Sequence, residues 1–409
     1  MRFALGRLVG VLCMAVLVAV PGAVPTQVGA LPAPAGTHWV GTWAASPQGG
    51  GPGRDRPSVT DRTLRQIVHT TVGGDVVRVR LTNAHGTTPL VIGEAHLALR
   101  RSGAAIRAGS DRTLTFGGSR QVTIAPGAEV SSDPTVLRVS AATDLAISLY
   151  VPGPTGPPTY HGLSMQTNYT STPGNHTGAV NMPVGETFCW TIPPRPCITP
   201  WYFLAGVDVL RSPRVGAVVA LGDSLTDGDA SADASAVDKN VRWPDLLARR
   251  LKTVGVLNAG IAGNRVLADG AGDSAPNRLD RDVLTEPGVR WVVLFEGIND
   301  LFRGGTAADV IAAYEQIIER THARGLPIYG VTVTPAGFAD GRENERQAVN
   351  TWIRTSGLFD AVIDFDAAVR DPANPAFPRA AFDAGDHLHF NVAGYHALAN
   401  SIDLSLFVS

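Results

Sequence analysis

The hydrophobic pattern of the chain changes near residue 210, and this change most limits the folds open to it. Before that point apolar residues alternate with polar ones, as at Val77, Val79 and Leu81, and turn residues separate the alternating segments. A period of two is typical of strands with one buried face. No long helical period interrupts these segments. We therefore expect a β-sandwich-like domain over residues 37–210, whose topology the sequence leaves open.

From Val215 onward, short continuous apolar runs alternate with helical segments. The runs lie at residues 215–221, 254–257, 289–295, 328–333 and 361–365, and the helical segments at 242–252, 307–324, 343–355 and 392–402. Continuous Val, Leu and Ile are typical of strands buried on both faces of a parallel sheet that helices cover. Residues 214–409 are thus predicted to form an α/β domain with its ligand site at the carboxyl ends of the strands.

The first thirty residues have the pattern of a secretory signal peptide. Arg2 and Arg7 precede an apolar run at residues 8–20, and small residues follow as far as Ala30. We expect cleavage near Ala30 and an extracellular mature protein. A membrane anchor is the weaker alternative, because the run is shorter than the ~20 apolar residues that cross a bilayer. No later segment is predicted to span a membrane.

Cysteine content and charge limit the cofactors and partners. Cys189 and Cys197 lie close together in the exported part of the chain, where disulfides persist, and we expect them to pair. No neighbouring histidines or further cysteines complete a metal site, so neither a metal nor another cofactor is predicted. The formal net charge is −2 and the arginines form no cluster, which disfavours a nucleic-acid partner. We expect a monomer.

A candidate nucleophile follows the first apolar run. That run leads directly into the heptapeptide Gly222–Gly228, with Ser224 as its third residue. A serine at the carboxyl end of a parallel strand can attack a carbonyl if a base removes its proton. The tripeptide Gly-Asp-Ser recurs at residues 272–274 but follows no strand there. Ser224, and not Ser274, is therefore the candidate nucleophile.

A candidate base and its acid lie in Asp386-His387-Leu388-His389, just before the last helical segment. Asp386 can accept the proton of one imidazole nitrogen of His389, which leaves the other nitrogen to face Ser224. His387 is the competing base, although its adjacency to Asp386 makes contact between the two side chains harder. We expect both Ser224 and His389 to lie on exposed loops.

Two further residues follow the second and third apolar runs. Gly260, within residues 258–264, offers a backbone N–H, and Asn299, within residues 297–300, offers a side-chain amide. Acyl transfer needs such donors at the oxygen that becomes charged. Both strand ends are expected to lie beside Ser224.

These four segments resemble, in the same order, the four sequence blocks of the SGNH hydrolase superfamily, the GDSL esterases and lipases. The resemblance spans about residues 214–409. It implies a flavodoxin-like three-layer α/β/α sandwich with Ser224 as the nucleophile. It further implies an oxyanion hole built from the Ser224 N–H, Gly260 and Asn299, with His389 as the base that Asp386 orients. Phe390 stands where a proline is common in the family.

The N-terminal half resembles, less specifically, the β-rich domain that precedes such hydrolase domains in some secreted bacterial proteins. Trp39 and Trp43 could stack on sugar rings, but packing in a core is the favoured interpretation. The stretch Tyr160–Tyr169 could border the site or be an ordinary inter-strand loop. Residues 227–238 have the oxygen spacing of a calcium loop, but Ala232 replaces the required glycine, which favours a solvated loop.

Together these observations predict hydrolysis of carboxylic esters through an acyl-enzyme on Ser224. The loops after the strands are rich in small and polar residues, which favours short or aromatic acyl groups on small molecules or polysaccharides over long acyl chains. An O-acyltransferase with the same residues, a lipase for long-chain esters and a non-catalytic carbohydrate-binding protein remain as alternatives.

Overall fold

The computed structural model describes residues 36–50, 56–185, 199–229 and 234–408. Up to residue 211 these residues form short strands, which agrees with the alternating pattern. The strands are β1 (His38–Ala44), β2 (Arg62–His69), β3 (Gly74–Thr82), β4 (Leu90–Ile92), β5 (Glu94–Ser102), β6 (Ala105–Ile106), β7 (Arg112–Leu114), β8 (Val122–Ile124), β9 (Glu129–Ser131), β10 (Thr135–Val139), β11 (Asp144–Val151), β12 (Tyr160–His161), β13 (Tyr169–Pro173), β14 (Trp201–Tyr202) and β15 (Leu204–Arg211).

Two antiparallel sheets organise this first half. One has the order β1-β15-β3-β10 with β9 beside β3, and the other has the order β13-β2-β11-β5-β6 with β7 beside β5. The first strand pairs with the fifteenth, so that His38 lies opposite Arg211. Val77 and Val79 of one sheet and Leu145 and Ile147 of the other belong to one buried apolar cluster. The two sheets therefore share a core, as the alternating pattern predicts.

The second half contains a parallel sheet, as the continuous apolar runs predict. Its strands are β16 (Ala217–Gly222), β17 (Gly255–Gly260), β18 (Val289–Phe295), β19 (Ile328–Val331) and β20 (Ala361–Ile363). They lie in the order β17-β16-β18-β19-β20, and every neighbouring pair is parallel. The reversal of strand order beside β16 is the place where open parallel sheets bind ligands.

The helices of this half are of two kinds. They are α1 (Ser224–Asp227), α2 (Trp243–Leu251), α3 (Ala275–Leu279), α4 (Ile298–Phe302), α5 (Ala307–His322), α6 (Gly341–Thr355), α7 (Phe365–Val369) and α8 (Val392–Ser401), with a π-helical turn at Asp280–Leu284 and 3₁₀ turns at Ala234–Ala236 and Leu404–Phe407. The four long helices coincide with the predicted helical segments. The four short ones were not predicted, because four or five residues are too few to display a helical period.

The two halves pack closely against each other. The Gly41 N–H of β1 donates to the Pro287 carbonyl at 2.8 Å, and the Val256 N–H of β17 donates to the Thr71 hydroxyl at 3.0 Å. A Cβ atom at Gly41 would lie 2.6 Å from a methyl group of Leu257, so β1 lies close against β17. Apolar residues of both halves belong to one buried cluster.

The predicted signal peptide at residues 1–30 and the predicted disulfide partners Cys189 and Cys197 lie outside the described residues. Within the described part of the chain, helices are too short and too polar to cross a bilayer.

Candidate active site

Ser224 lies where the sequence places it, at the carboxyl end of β16, but its surroundings differ from the prediction. It is the first residue of α1, a short helix that Asp223 caps by accepting the Leu225 N–H at 2.9 Å. Gly228, with φ +100°, ends this helix. The prediction of an exposed loop was wrong, because the turn into α1 leaves Ser224 only 5% exposed. The hydroxyl is thereby held at a fixed position.

His389 and Asp386 complete a chain of hydrogen bonds that starts at Ser224. The Ser224 hydroxyl lies 2.9 Å from Nε2 of His389, and Nδ1 of His389 lies 2.7 Å from a carboxylate oxygen of Asp386. The other oxygen of Asp386 accepts the backbone N–H groups of Leu388 and His389. With its Nδ1 proton directed at Asp386, His389 can accept the serine proton at Nε2. His389 is 8% exposed, so it is buried and does not lie on the exposed loop that was predicted.

The competing candidates lie elsewhere. Nδ1 of His387 lies 2.6 Å from Asp383, and His387 adopts a φ of +62°. Ser274 precedes α3, and its N–H donates to Asp269 at 2.7 Å. Neither residue joins the chain from Ser224 to Asp386.

The surroundings of His389 favour its protonated form. Burial lowers the pKa of His389, but its hydrogen bond to Asp386 and the negative charges of Asp229, Asp386 and Asp223 outweigh burial and raise the pKa above the ordinary value. Asp229 lies 3.8 Å from Nε2, on the side of the ring that faces Ser224. The pKa of Asp386 is well below its usual range, since hydrogen bonds from His389 and its charge outweigh burial.

The two predicted oxyanion donors differ in their availability. Nδ2 of Asn299, in α4, donates to the carbonyl of Asn264 at 3.0 Å, which leaves its second proton for another acceptor. The N–H of Gly260, in contrast, donates to the side-chain oxygen of Asn258 at 2.9 Å. A Cβ atom at Gly260 would lie 2.3 Å from the backbone nitrogen of Asp227. Gly260 was predicted as an oxyanion donor, but its N–H already has a partner. Because it has no side chain, Gly260 instead allows α1 to lie against β17.

Two backbone N–H groups in the segments that follow β16 and β17 are also available as donors. Among the described residues, the N–H groups of Ser224 and Gly263 have no hydrogen-bond partner. Gly263 adopts a φ of +78° and directly precedes Asn264, whose carbonyl contacts Asn299. Sequence reasoning missed Gly263, although a second glycine in the same segment was a visible signal.

A layer of buried charges lies beneath these residues. Arg278 is fully buried and donates to the carbonyls of Gly222, the last residue of β16, and Ala259, the last but one of β17, at 3.0 and 2.6 Å. Burial raises the pKa of Asp223 to about 7, and burial together with the negative charge of Asp223 raises the pKa of Glu296 well above its ordinary value. The guanidinium of Arg278 thus binds the strand ends from which the site is built.

Residues of the β-rich half also contact the site. Within the stretch Tyr160–Tyr169, Gln166 and Thr167 donate to the carboxylate of Asp238, at 2.5 to 2.7 Å. Nε2 of His161 lies 2.9 Å from Asp227. This stretch therefore packs against the segment that follows Ser224, and a border with the substrate cleft stays a prediction. Because the carboxylates of Asp227 and Asp238 are engaged within the protein, both ends of the calcium-like spacing are occupied; residues 230–233 between them lie outside the described residues.

The N-terminal tryptophans pack within the protein. Trp43 is 4% exposed and its ring lies 4.9 Å from that of Trp201, edge to face. The guanidinium of Arg78 covers the ring of Trp39 at 4.5 Å. The favoured prediction of packing is confirmed for Trp43.

Comparison with known proteins gives one family match in the second half of the chain. Residues 220–397 match the GDSL-like Lipase/Acylhydrolase family. A search among curated proteins gave no match.

Solved structures similar to this chain include three from bacteria. Est24, a carbohydrate acetylesterase from Sinorhizobium meliloti, is 14% identical and covers 47% of this chain and 98% of its own, with a TM-score of 0.39. An aryl esterase from M. smegmatis is 16% identical and covers 45% and 94%, with a TM-score of 0.37. A member of the lipolytic protein G-D-S-L family from Veillonella parvula DSM 2008 is 18% identical and covers 46% and 95%, with a TM-score of 0.35.

The matched residues include the end of β16 with Ser224, β17 and β18, and the segment with Asp386 and His389. Residues 220–397 thus form a domain of the GDSL-like lipase/acylhydrolase family, and the protein is a carboxylic ester hydrolase.

Proposed function

We propose that the protein is a secreted serine esterase that hydrolyses short or aromatic acyl esters through an acyl-enzyme on Ser224. The observation that carries this proposal is the hydrogen-bond chain from the Ser224 hydroxyl to Nε2 of His389, at 2.9 Å, and from Nδ1 to Asp386, at 2.7 Å. A nucleophile, a base and an orienting acid in this sequence are the parts that acyl transfer needs.

The proposed reaction has two halves. His389 takes the proton of Ser224 as its oxygen attacks the ester carbonyl, and returns that proton to the leaving alcohol. Water then attacks the acyl-enzyme with His389 again as the base, which releases the carboxylic acid and restores Ser224. Asp386 holds the imidazole in the required tautomer and stabilises its charged form.

The carbonyl oxygen of the ester becomes negatively charged in the reaction, and it needs hydrogen-bond donors that have no other partner. We assign these to the Ser224 N–H, the second proton of the Asn299 amide and the Gly263 N–H. Gly263 replaces Gly260 in this assignment, because the Gly260 N–H already donates to Asn258 at 2.9 Å. Preorganised donors of this kind are usually the largest contribution to acyl-transfer catalysis.

The substrate preference is supported by the small apolar area near Asn299. Leu267, in the loop after β17, and Phe302, the last residue of α4, are 39% and 37% exposed, and they are the exposed large hydrophobic side chains between residues 261 and 306. A long acyl chain contributes ~0.8 kcal/mol for each buried methylene and calls for an extended groove. Two partly exposed side chains suit an acetyl or an aromatic acyl group, carried by a small molecule or a polysaccharide.

The export, domain and fold assignments complete the proposal. A signal peptide at residues 1–30, a disulfide between Cys189 and Cys197 and a monomeric mature protein are supported by the sequence pattern. We further assign residues 37–210 to a β-sandwich-like domain. Residues 214–409 are assigned to a flavodoxin-like three-layer α/β/α domain, which the strand order β17-β16-β18-β19-β20 supports.

Release of p-nitrophenol from p-nitrophenyl acetate tests the proposed mechanism. Ser224→Ala and His389→Ala should each remove nearly all activity, since the two residues act as one unit. Ser274→Ala is the matched control and should keep wild-type activity. An inactive Ser274→Ala variant beside an active Ser224→Ala variant would contradict the site assignment.

A substrate series separates the esterase from its alternatives. kcat/KM should fall from p-nitrophenyl acetate to palmitate, with deacylation of acetylated xylan or methyl ferulate. A rise through palmitate, with no action on acetylated xylan or methyl ferulate, would identify a lipase. Acylated sugar as the main product in the presence of a sugar acceptor would identify an acyltransferase.

A further inference from the structure

A buried histidine of the β-rich half contacts the helix that carries the nucleophile. His161, at the end of β12, is 3% exposed, and its Nε2 lies 2.9 Å from Oδ1 of Asp227. Asp227 is the last residue of α1, three residues after Ser224, and is 1% exposed. The pair is therefore shielded from solvent and from salt, in contrast to a surface ion pair.

The partners of His161 fix its protonation state. Nδ1 lies 2.9 Å from the carbonyl oxygen of Ser46, and Nε2 faces the carboxylate of Asp227. Carbonyl and carboxylate oxygens only accept, so both ring nitrogens must carry a proton. Burial and the charge of Arg242 lower the pKa of His161, but Asp227 and the Ser46 carbonyl outweigh them and raise it. His161 is thus an imidazolium that neutralises Asp227.

Asp227 also contacts the loop that contains Ala262 and Gly263. Its Oδ2 accepts the N–H of Ala262 at 2.7 Å, directly before Gly263. Two residues further on, the carbonyl of Asn264 accepts from Asn299 at 3.0 Å. Asp227 therefore binds, through its two oxygens, the β-rich half on one side and this loop on the other.

Ser46 connects the same histidine to the charges beneath the site. Its hydroxyl accepts from Nη1 of Arg278 at 3.0 Å, while its carbonyl accepts from His161. Arg278 in turn donates to the carbonyls of Gly222 in β16 and Ala259 in β17, and its Nε donates to the side chain of Asn264 at 3.0 Å. Two independent buried contacts thus run from the β-rich half to the loops that surround Ser224.

We propose that His161 is a positioning residue for ester hydrolysis and that the β-rich half is part of the active site. Its imidazolium fixes Asp227, and Asp227 holds α1 and the Ala262 loop in the arrangement that the reaction requires. This proposal rests on the proposed function of Ser224. A misplacement of about 1 Å in the reacting groups can cost ~10²-fold in rate, whereas ground-state binding of a small ester depends on it less.

Kinetics of His161 variants in the full chain test the proposal. His161→Leu leaves Asp227 buried without its partner, and we expect kcat to fall ~10- to 100-fold with KM changed less than about threefold. His161→Gln can still donate to Asp227 through its amide and should keep about a third or more of wild-type kcat. This rescue and the split between kcat and KM distinguish positioning from a loss of folded protein.

His96→Leu is the matched control. His96 lies in β5, is 7% exposed, and pairs with Asp111 at 2.8 Å, far along the chain from the site. It should keep wild-type kcat when both variants are measured at a temperature where thermal melting shows each to be folded. An equal fall in kcat in both variants would overturn the proposal, because it would indicate general loosening of the β-rich half.

Hydrogen–deuterium exchange gives a readout that does not depend on activity. The peptide that contains Ala262 should exchange its amide protons faster in His161→Leu than in wild type. Its exchange rate should be unchanged in His96→Leu. An inactive wild-type enzyme would sink the proposed function, while the exchange experiment would still decide about His161. Wild-type kcat with unchanged exchange in His161→Leu would overturn the positioning role.

If His161→Leu does not fold, Asp227→Asn takes its place. Its amide keeps the size of Asp227 but cannot accept from both His161 and Ala262. A wild-type kcat for this variant would overturn the proposal, and a fall in kcat at nearly constant KM would support it.

Discussion

At the scale of single residues, the acidic surroundings of His389 set the conditions for the reaction. Asp386 at 2.7 Å from Nδ1 and Asp229 at 3.8 Å from Nε2 face the ring from opposite sides. Asp386 stabilises the imidazolium that forms as Ser224 loses its proton. Asp229 adds to this effect, at the cost of keeping the base protonated to higher pH. The raised pKa makes neutral His389 a stronger base, but it also lowers the fraction of neutral His389, and hence the activity, at acid pH.

The raised pKa of His389 should appear in the pH dependence of kcat/KM. Only neutral His389 can accept the Ser224 proton, and its pKa is raised, so kcat/KM should rise with pH through a midpoint above the ordinary histidine value of ~6.5. Asp229→Asn removes one negative charge and should move the midpoint to lower pH. Asp75→Asn, whose side chain is 82% exposed in the β-rich half, is the control and should leave the midpoint unchanged. A midpoint that stays in place in Asp229→Asn would contradict this account.

The amide of Asn299 should matter chiefly in the transition state. Asn299→Ala is expected to lower kcat by ~10²–10³-fold, the usual effect of losing one oxyanion donor, with a much smaller change in KM. Asn277→Ala provides a comparison, since its amide contacts Asp269 and not the loop beside Ser224. Steady-state kinetics on p-nitrophenyl acetate measure both constants. A rise in KM with an unchanged kcat would show that Asn299 is not an oxyanion donor.

At the scale of elements, the site depends on how closely α1 approaches β17. Gly260 ends β17, and the backbone nitrogen of Asp227 stands 2.3 Å from the place of a Cβ atom there. Asn258 in the same strand donates to the Thr226 carbonyl at 2.7 Å. The helix with the nucleophile therefore lies directly on the strand, with no room for a side chain between them.

Gly260→Ala should therefore destabilise the protein and displace α1. We expect a loss of ~1–3 kcal/mol in the free energy of unfolding, as for other overpacked sites, together with lower kcat. Gly153→Ala is the control, since a Cβ atom there would meet nothing within 4 Å. Chemical denaturation of both variants measures the difference. Equal stability of Gly260→Ala and wild type would show that α1 is not held in place by this contact.

The sequence predicts elements well where many residues share one environment. The apolar runs predicted β18 at its observed bounds, Val289–Phe295, and α5 to within two residues of its end at His322. It does not predict α1, which depends on a single cap by Asp223 and on Gly228. The motif around Ser224 was visible, but its conformation was not, because four residues carry no period.

At the scale of the whole molecule, buried ion pairs cross between the two halves. Arg80 of β3 lies 2.5 Å from Glu286, and both side chains are less than a tenth exposed. Burial raises the pKa of Glu286, and the charge of Arg80 opposes that rise. The second half therefore contains a buried carboxyl group whose partner is supplied by the first.

The two halves should consequently unfold together. Calorimetry of the full chain should show one transition, and Arg80→Met should lower its temperature, with a loss of ~3–5 kcal/mol for an unpaired buried charge. Arg80→Met/Glu286→Met removes both charges and should recover part of that loss. Two separate transitions in the wild-type protein would contradict a shared core.

The contacts between the halves were beyond the reach of sequence reasoning. Ser224, His389 and Asp386 were identified because each stands in a motif next to a strand or a helix. His161 and Arg278 stand in no motif, and each acts through partners more than 50 residues away, His161 on Asp227 and Arg278 on Gly222. A pattern along the chain cannot report such contacts, because only the tertiary fold brings the residues together.

The pairing of the first strand with the fifteenth bears on how the chain folds. β1 aligns His38 with Arg211, so its partner strand is synthesised more than 160 residues later. Closing so long a loop costs entropy before any pairing compensates it, which makes the step slow. Until β15 emerges, the apolar side chains of Val40 and Trp43 have no sheet to cover them. During synthesis β1 therefore stays unpaired until β15 is made. An extended apolar segment of this kind is a binding site for chaperones.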